Sequence, residues 1–174
     1  MPGLQRHPAL QDLSRDHQLV LLHAREIRWT VEGDRRAQPW TAVAREFLRF
    51  WQREGILHLE EEEEVLLPAY GRRVPLHGDE TVRHVLADHA WLHQATGELQ
   101  YCLQSGREDA VLLGTIGRRL HDHVRLEERL LFQAIQDTLT EEELDRLGAQ
   151  SIAFRLRWRG LAAIGPLEAT GEGV

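Results

Sequence analysis

A histidine followed four residues later by a glutamate occurs twice in this chain, as His58-Leu59-Glu60-Glu61-Glu62 and as His123-Val124-Arg125-Leu126-Glu127. On a helix, four residues turn through about 400° and return to nearly the same face, so each word sets an imidazole beside a carboxylate. That is a metal-ligand spacing. A third word, His89-Ala90-Trp91-Leu92-His93, puts two imidazoles on one face, and upstream His17 sits in a run of leucines and valines. Together these are five histidines and two carboxylates from four candidate helices, enough donors for two metal ions.

His17, His58, His89, His93 and His123 each fall on the apolar stripe of their helix, with Glu62 and Glu127 one turn onward. A carboxylate on a core-facing stripe is costly to bury unless its charge is met, and a bound cation meets it directly. Imidazole and carboxylate suit divalent iron, manganese or zinc, and the lack of thiolates disfavours copper(I). A single histidine on an apolar stripe is more often a satisfied core residue than a ligand; seven groups in helical phase favour metal.

Within the run Glu60 to Glu64, Glu62 has the four-residue offset from His58 and Glu61 is its geometric rival; the rest reads as a solvated face. Glu128, five residues beyond His123, is rotated away from it on a regular helix. His7, His23, His77, His84 and His121 are off the ligand phase and read as surface residues. Asp16, Asp88 and Asp122 each directly precede a candidate ligand. They fit either partners that accept a ring N–H from a neighbouring helix or a solvated face. Trp91, Trp51 and Phe47 could line a pocket, but ordinary core is the favoured reading for them.

The elements that must hold these residues are helical almost throughout, since apolar residues recur at three- and four-residue steps. The first helix runs from about Ser14 to Val31, with an earlier turn opened at Pro8, and Gly33 ends it. Pro39 opens a second, which stops at Pro68 and Gly71; a third follows Gly78 and ends at Ser105-Gly106; a fourth begins near Glu108. Four long helices on short loops predict an all-α, up-down-up-down four-helix bundle over residues 1–137. Residues 138–174 form an extension that packs on it. There a capping-box pattern, Thr140 with Glu143, begins one or two short helices, and the end from Glu168 to Val174 frays. Each of two helical hairpins carries histidine on its first helix and the H-x-x-x-E word on its second, a weak internal symmetry.

At 174 residues, 42% hydrophobic and 28% charged, the chain has the balance of an ordinary soluble domain. A formal charge of −7 argues against nucleic-acid binding, and the single Cys102 excludes an intrachain disulfide and any cysteine-rich metal site. No apolar run reaches the ~18 residues of a membrane span. No secretory start is visible after Met1-Pro2-Gly3, so the expected location is cytoplasmic. Lysine and asparagine are absent while arginine is abundant, the mark of GC-rich codon usage and of a bacterial source.

As a set, these residues resemble the hemerythrin and HHE cation-binding family. The resemblance rests on Asp16-His17, on His58 with Glu62 and the following Val65-Leu66-Leu67-Pro68, on Asp88-His89 with His93, and on His123 with Glu127-Glu128 before Leu131-Phe132. It spans roughly residues 10–135 and leaves the tail after Asp137 outside. It implies a non-heme centre of two iron ions, oxo- or hydroxo-bridged, with Glu62 and Glu127 bridging. His89, His93 and His123 would serve one iron and His17 and His58 the other, whose open position would take dioxygen or another small diatomic or peroxide ligand. Storage, delivery or sensing of dioxygen is the implied function. Alternatives are a di-iron enzyme consuming peroxide or nitric oxide and an iron-responsive interaction module. A homodimer is compatible with the sequence. Oxygen carriers of the family place an aspartate five residues after their last histidine, whereas here the four-residue glutamate fits, which resembles the wider HHE group.

Overall fold

Helix signals at the chain level become five rods. The computed structural model describes residues 6–164, with side chains to residue 160. Helix α1 spans Pro8–Glu32, α2 residues 40–71, α3 Glu80–Gln104, α4 residues 110–138 and α5 Glu141–Ile164, with one 3₁₀ turn at Leu76–Gly78 and no strand among the described residues. Local chemistry sets the ends. Proline opens α1, the His7 ring accepts the Ala9 N–H at 3.2 Å, and Gly33 closes the helix at φ 67°. Asp79 accepts the Val82 N–H at 3.1 Å to start α3, and Asp109 accepts the Leu112 N–H at 2.8 Å to start α4.

Helices α1 to α4 close a square in chain order: α1 packs on α2 and α4, and α3 on α2 and α4. This is the expected all-α bundle. The α1–α4 seam is close because α4 presents Gly117 to α1; a Cβ there would lie 2.6 Å from Ile27. Helix α5 lies across α1 and α2. The tail is therefore one helix of 24 residues and not one or two short ones. Leu144, Leu147, Ser151 and Phe154, all buried, continue to Trp158 in steps of three and four, an unbroken stripe that needs no second element. Thr140 and Glu143 form the expected capping box, the Thr140 N–H donating to Glu143 at 3.0 Å and the Glu143 N–H to Thr140 Oγ1 at 3.3 Å. The segment expected to fray, residues 168–174, lies outside the described residues.

Two helices depart from regular α geometry. Helix α2 widens into π-helical turns at Trp51–Gly55 and Glu62–Leu66, and α4 does so at Glu127–Leu131. Two of the three begin at the candidate glutamates.

The core comes in two apolar halves. One gathers Val20, Ile27, Phe47, Trp51, Leu92, Leu99, Ile116 and Leu120; the other gathers Leu10, Leu13, Val65, Leu66, Val85, Leu131, Phe132 and Phe154. On every helix of the bundle the candidate ligands fall where one half gives way to the other. No helix among the described residues is long and apolar enough to cross a membrane.

Candidate metal centre

Between the two apolar halves lies a polar layer made of six side chains. His17 comes from α1, His58 and Glu62 from α2, His89 from α3, and His123 and Glu127 from α4, all of them at most 3% exposed. They form two overlapping groups. Donor atoms of His17, His58, Glu62 and Glu127 lie within 4.8 Å of one another, and so do those of Glu62, His89, His123 and Glu127. Both glutamates belong to both groups. Glu62 turns Oε1 toward His58 Nε2 at 3.5 Å and Oε2 toward His89 Nε2 at 3.3 Å. Glu127 Oε2 lies 3.1 Å from His17 Nε2 and 3.2 Å from His123 Nε2.

His93 stands outside both groups. Four residues past His89 it is turned by about 40° and displaced by about 6 Å along the axis. At that level its ring is exposed and meets Trp51 edge-on at 5.9 Å. The expected third imidazole on the His89–His123 side is thus absent from this arrangement, which is balanced, two histidines to each group.

Most of the inner atoms are buried donors without hydrogen bonds, while His17 Nε2 and His58 Nε2 approach each other at 3.1 Å. Both oxygens of Glu62 and of Glu127, and the Nε2 atoms of His89 and His123, find no hydrogen-bond partner. Buried polar atoms are almost always partnered, so six convergent donors in an apolar core call for a cation. The electrostatics agree. Burial would lower the His17 imidazole, yet Glu127 and Glu128 beside it push it up to about 10. His89 goes up to about 11 against the same penalty, under Glu127, Glu62 and Glu63. Burial would raise Glu127, but the surrounding His123, His17 and His89 hold it well below the usual carboxylate range. The two glutamates therefore draw positive charge into the core. The donor set of imidazole and carboxylate fits iron, manganese or zinc.

Each of the four clustered histidines also has a carboxylate near its outer nitrogen. His17 Nδ1 donates to Glu128 at 2.7 Å and His89 Nδ1 to Glu63 at 2.8 Å. His58 Nδ1 faces Asp16 at 3.5 Å and His123 Nδ1 faces Asp88 at 3.7 Å, ion-pair distances. Such partners fix the tautomer that leaves Nε2 free for a metal. The pattern has a twofold logic. The aspartate before the first helix's histidine serves the second helix of the same hairpin, and the glutamate after the shared one serves the first helix of the other hairpin.

Asp16 and Asp88 thus hold the outer positions that their place before a ligand suggested, whereas Asp122 is exposed beside His121. Glu63 and Glu128 are residues that helical phase alone sets aside. On a regular helix Glu128 would turn away, but the π turn starting at Glu127 widens the helix and lets neighbouring carboxylates address the α1 histidine and the core together. The missed signal is the doubled glutamate, Glu62-Glu63 and Glu127-Glu128, in both copies of the word. Glu61 lies outside both groups; it is fully buried and pairs with Arg155 of α5 at 2.6 Å.

The profile of the hemerythrin HHE cation-binding domain matches residues 9–162. The chain belongs to the hemerythrin HHE cation-binding family. The match runs well past Asp137 and takes in most of α5, so the C-terminal helix is part of the region shared with this family and not an addition to it. No curated protein and no solved structure matches the chain significantly. Family and geometry agree that the chain is a metal-binding protein whose histidine and glutamate clusters can hold a cation.

Proposed function

We propose that this hemerythrin-like protein holds two iron ions in its polar layer and binds dioxygen, or a related small ligand, for storage, delivery or sensing. His17 and His58 hold one ion, His89 and His123 the other, and Glu62 and Glu127 bridge them. The observation that carries this reading is the placement of two fully buried carboxylates, without hydrogen bonds, each between imidazoles of both hairpins. Bound ferrous ions supply electrons and coordination positions that a small ligand can occupy.

The chain's own residues do the rest. Each position receives donors from four side chains, fewer than the roughly six an octahedral ion accepts. Glu128, Glu63, Asp16 and Asp88 orient the imidazoles from behind. Phe132 stacks on His17 at 5.2 Å, and the apolar layers on either side keep bulk water off the centre.

Metal content and an optical spectrum, taken reduced under nitrogen and again after air, test the proposal. The expected result is about two irons per chain with near-ultraviolet charge-transfer bands that appear on oxygenation. A single zinc, or a featureless spectrum after reconstitution with iron, would overturn it.

A further inference from the structure

The twofold pattern of the centre is broken one layer further out, where the carboxylates behind the histidines find their own partners. On the His17–His58 side both are held by arginines from outside α1 to α4. Glu128 accepts from Arg6, just ahead of α1, through Nε at 3.1 Å and Nη2 at 2.8 Å, and from Ser14 Oγ at 2.6 Å. The Arg6 guanidinium also donates to the Glu128 carbonyl and to Gln136. Asp16 accepts from Arg155 of α5 at 2.6 Å, and the same guanidinium pairs with the buried Glu61 at 2.6 Å. Arg6 and Arg155 are 7% and 14% exposed.

The His89–His123 side is looser at its glutamate and at the arginine behind its aspartate, although Asp88 itself is more buried than Asp16, 9% against 26% exposed. Asp88 meets Arg119 at 3.1 Å and His84 at 3.6 Å, and Arg119 is 43% exposed. Glu63 is 42% exposed and pairs with His89, and among the described residues it has no ion pair with an arginine. Charged hydrogen bonds hold geometry best where water is excluded, and a carboxylate open to solvent can leave its histidine at little cost. The residues outside a ligand commonly change metal affinity by about tenfold or more.

We infer that the two cation positions are inequivalent: the His17–His58 position, clamped by Arg6 and Arg155, retains its ion, and the His89–His123 position exchanges. Arg6 and Arg155 are thus positioning residues that act through Glu128 and Asp16. The N-terminal approach and α5 lend this bundle a difference that its six ligands lack. The inference rests on the proposed two-ion centre.

Release of ferrous iron to excess bipyridine under nitrogen tests it, following both the coloured chelate and the iron left on the protein. The native protein is expected to release its iron in two phases of about one ion each, and Arg155→Met to speed the slow phase by at least about fivefold. Arg6→Gln, from the other end of the chain, is expected to do the same and serves where loss of the Glu61 partner prevents Arg155→Met from folding. Glu63→Gln is expected to speed only the fast phase. A single phase for both ions in the native protein, an arginine variant acting on the fast phase, or Glu63→Gln acting on the slow phase would each overturn the inference while leaving the two-ion centre intact. Failure to load two ions at all overturns the centre, and the inference with it.

Discussion

At Glu62 and Glu127 the chain sinks two carboxylates to zero exposure, so an isosteric amide removes charge without changing shape. Glu62→Gln and Glu127→Gln should each lower iron content to about one ion per chain or less while far-ultraviolet circular dichroism stays native, because the packing around them is untouched. Unchanged iron in either variant would mean that the glutamate is not a shared ligand. His93 gives the sharper comparison. Its ring is exposed against Trp51, so His93→Ala should keep full iron content where His89→Ala does not. Loss of iron in His93→Ala would show that the ring swings inward to the metal. Six of the seven residues expected from spacing are brought together; His93 is left out because shared phase does not guarantee a shared level along the axis. The outer carboxylates were harder to read. Asp16 and Asp88 could be suspected from their place before a ligand, whereas Glu63 and Glu128 depend on contacts between hairpins.

For the helices, the ends were legible because proline, glycine and capping residues act locally: Pro8, Gly33, Gly78 and the Thr140–Glu143 pair sit where the chain turns. The π turns were not, since the apolar pattern repeats at three- and four-residue steps and one widened turn hardly disturbs it. The length of helix α5 was not legible, since its apolar stripe runs through a polar residue, Ser151, which is itself buried. If α5 belongs to the same cooperative unit as the bundle, Phe154→Ala, which empties a site 3% exposed, should cost about 3 kcal/mol in a single urea transition. Separate transitions by two probes would show α5 melting by itself. Glu143 adds a pH dependence. The Thr140 N–H and then Arg73 hold its carboxyl below the usual 4.5, so its contribution is complete above that pH and is lost as acid protonates it. Glu143→Gln should therefore show a flatter fall of melting temperature from about pH 5 to about pH 3 than the native chain. An identical slope in both proteins would remove the capping box from the account.

Across the whole molecule, the polar layer is both the candidate metal centre and a charged level within an otherwise apolar core. It separates two apolar halves with charged groups, and its ligands come from all four helices of the bundle. Cations bound there tie α1, α2, α3 and α4 at one level, and an unfolded chain cannot assemble such a site, so binding adds to folding stability. At free metal about 1,000 times above the dissociation constant, one site contributes about 4 kcal/mol. For a chain of this length that is a rise of roughly 8–16 °C in melting temperature. Calorimetry of the iron-loaded protein, before and after chelation under nitrogen, should show this rise with one transition in both states. If chelation lowers the melting temperature by less than about 3 °C, the bundle does not depend on the metal for its cohesion. The arginine-backed pairs and apolar halves would then suffice to hold the polar layer closed, and metal would enter a site already built.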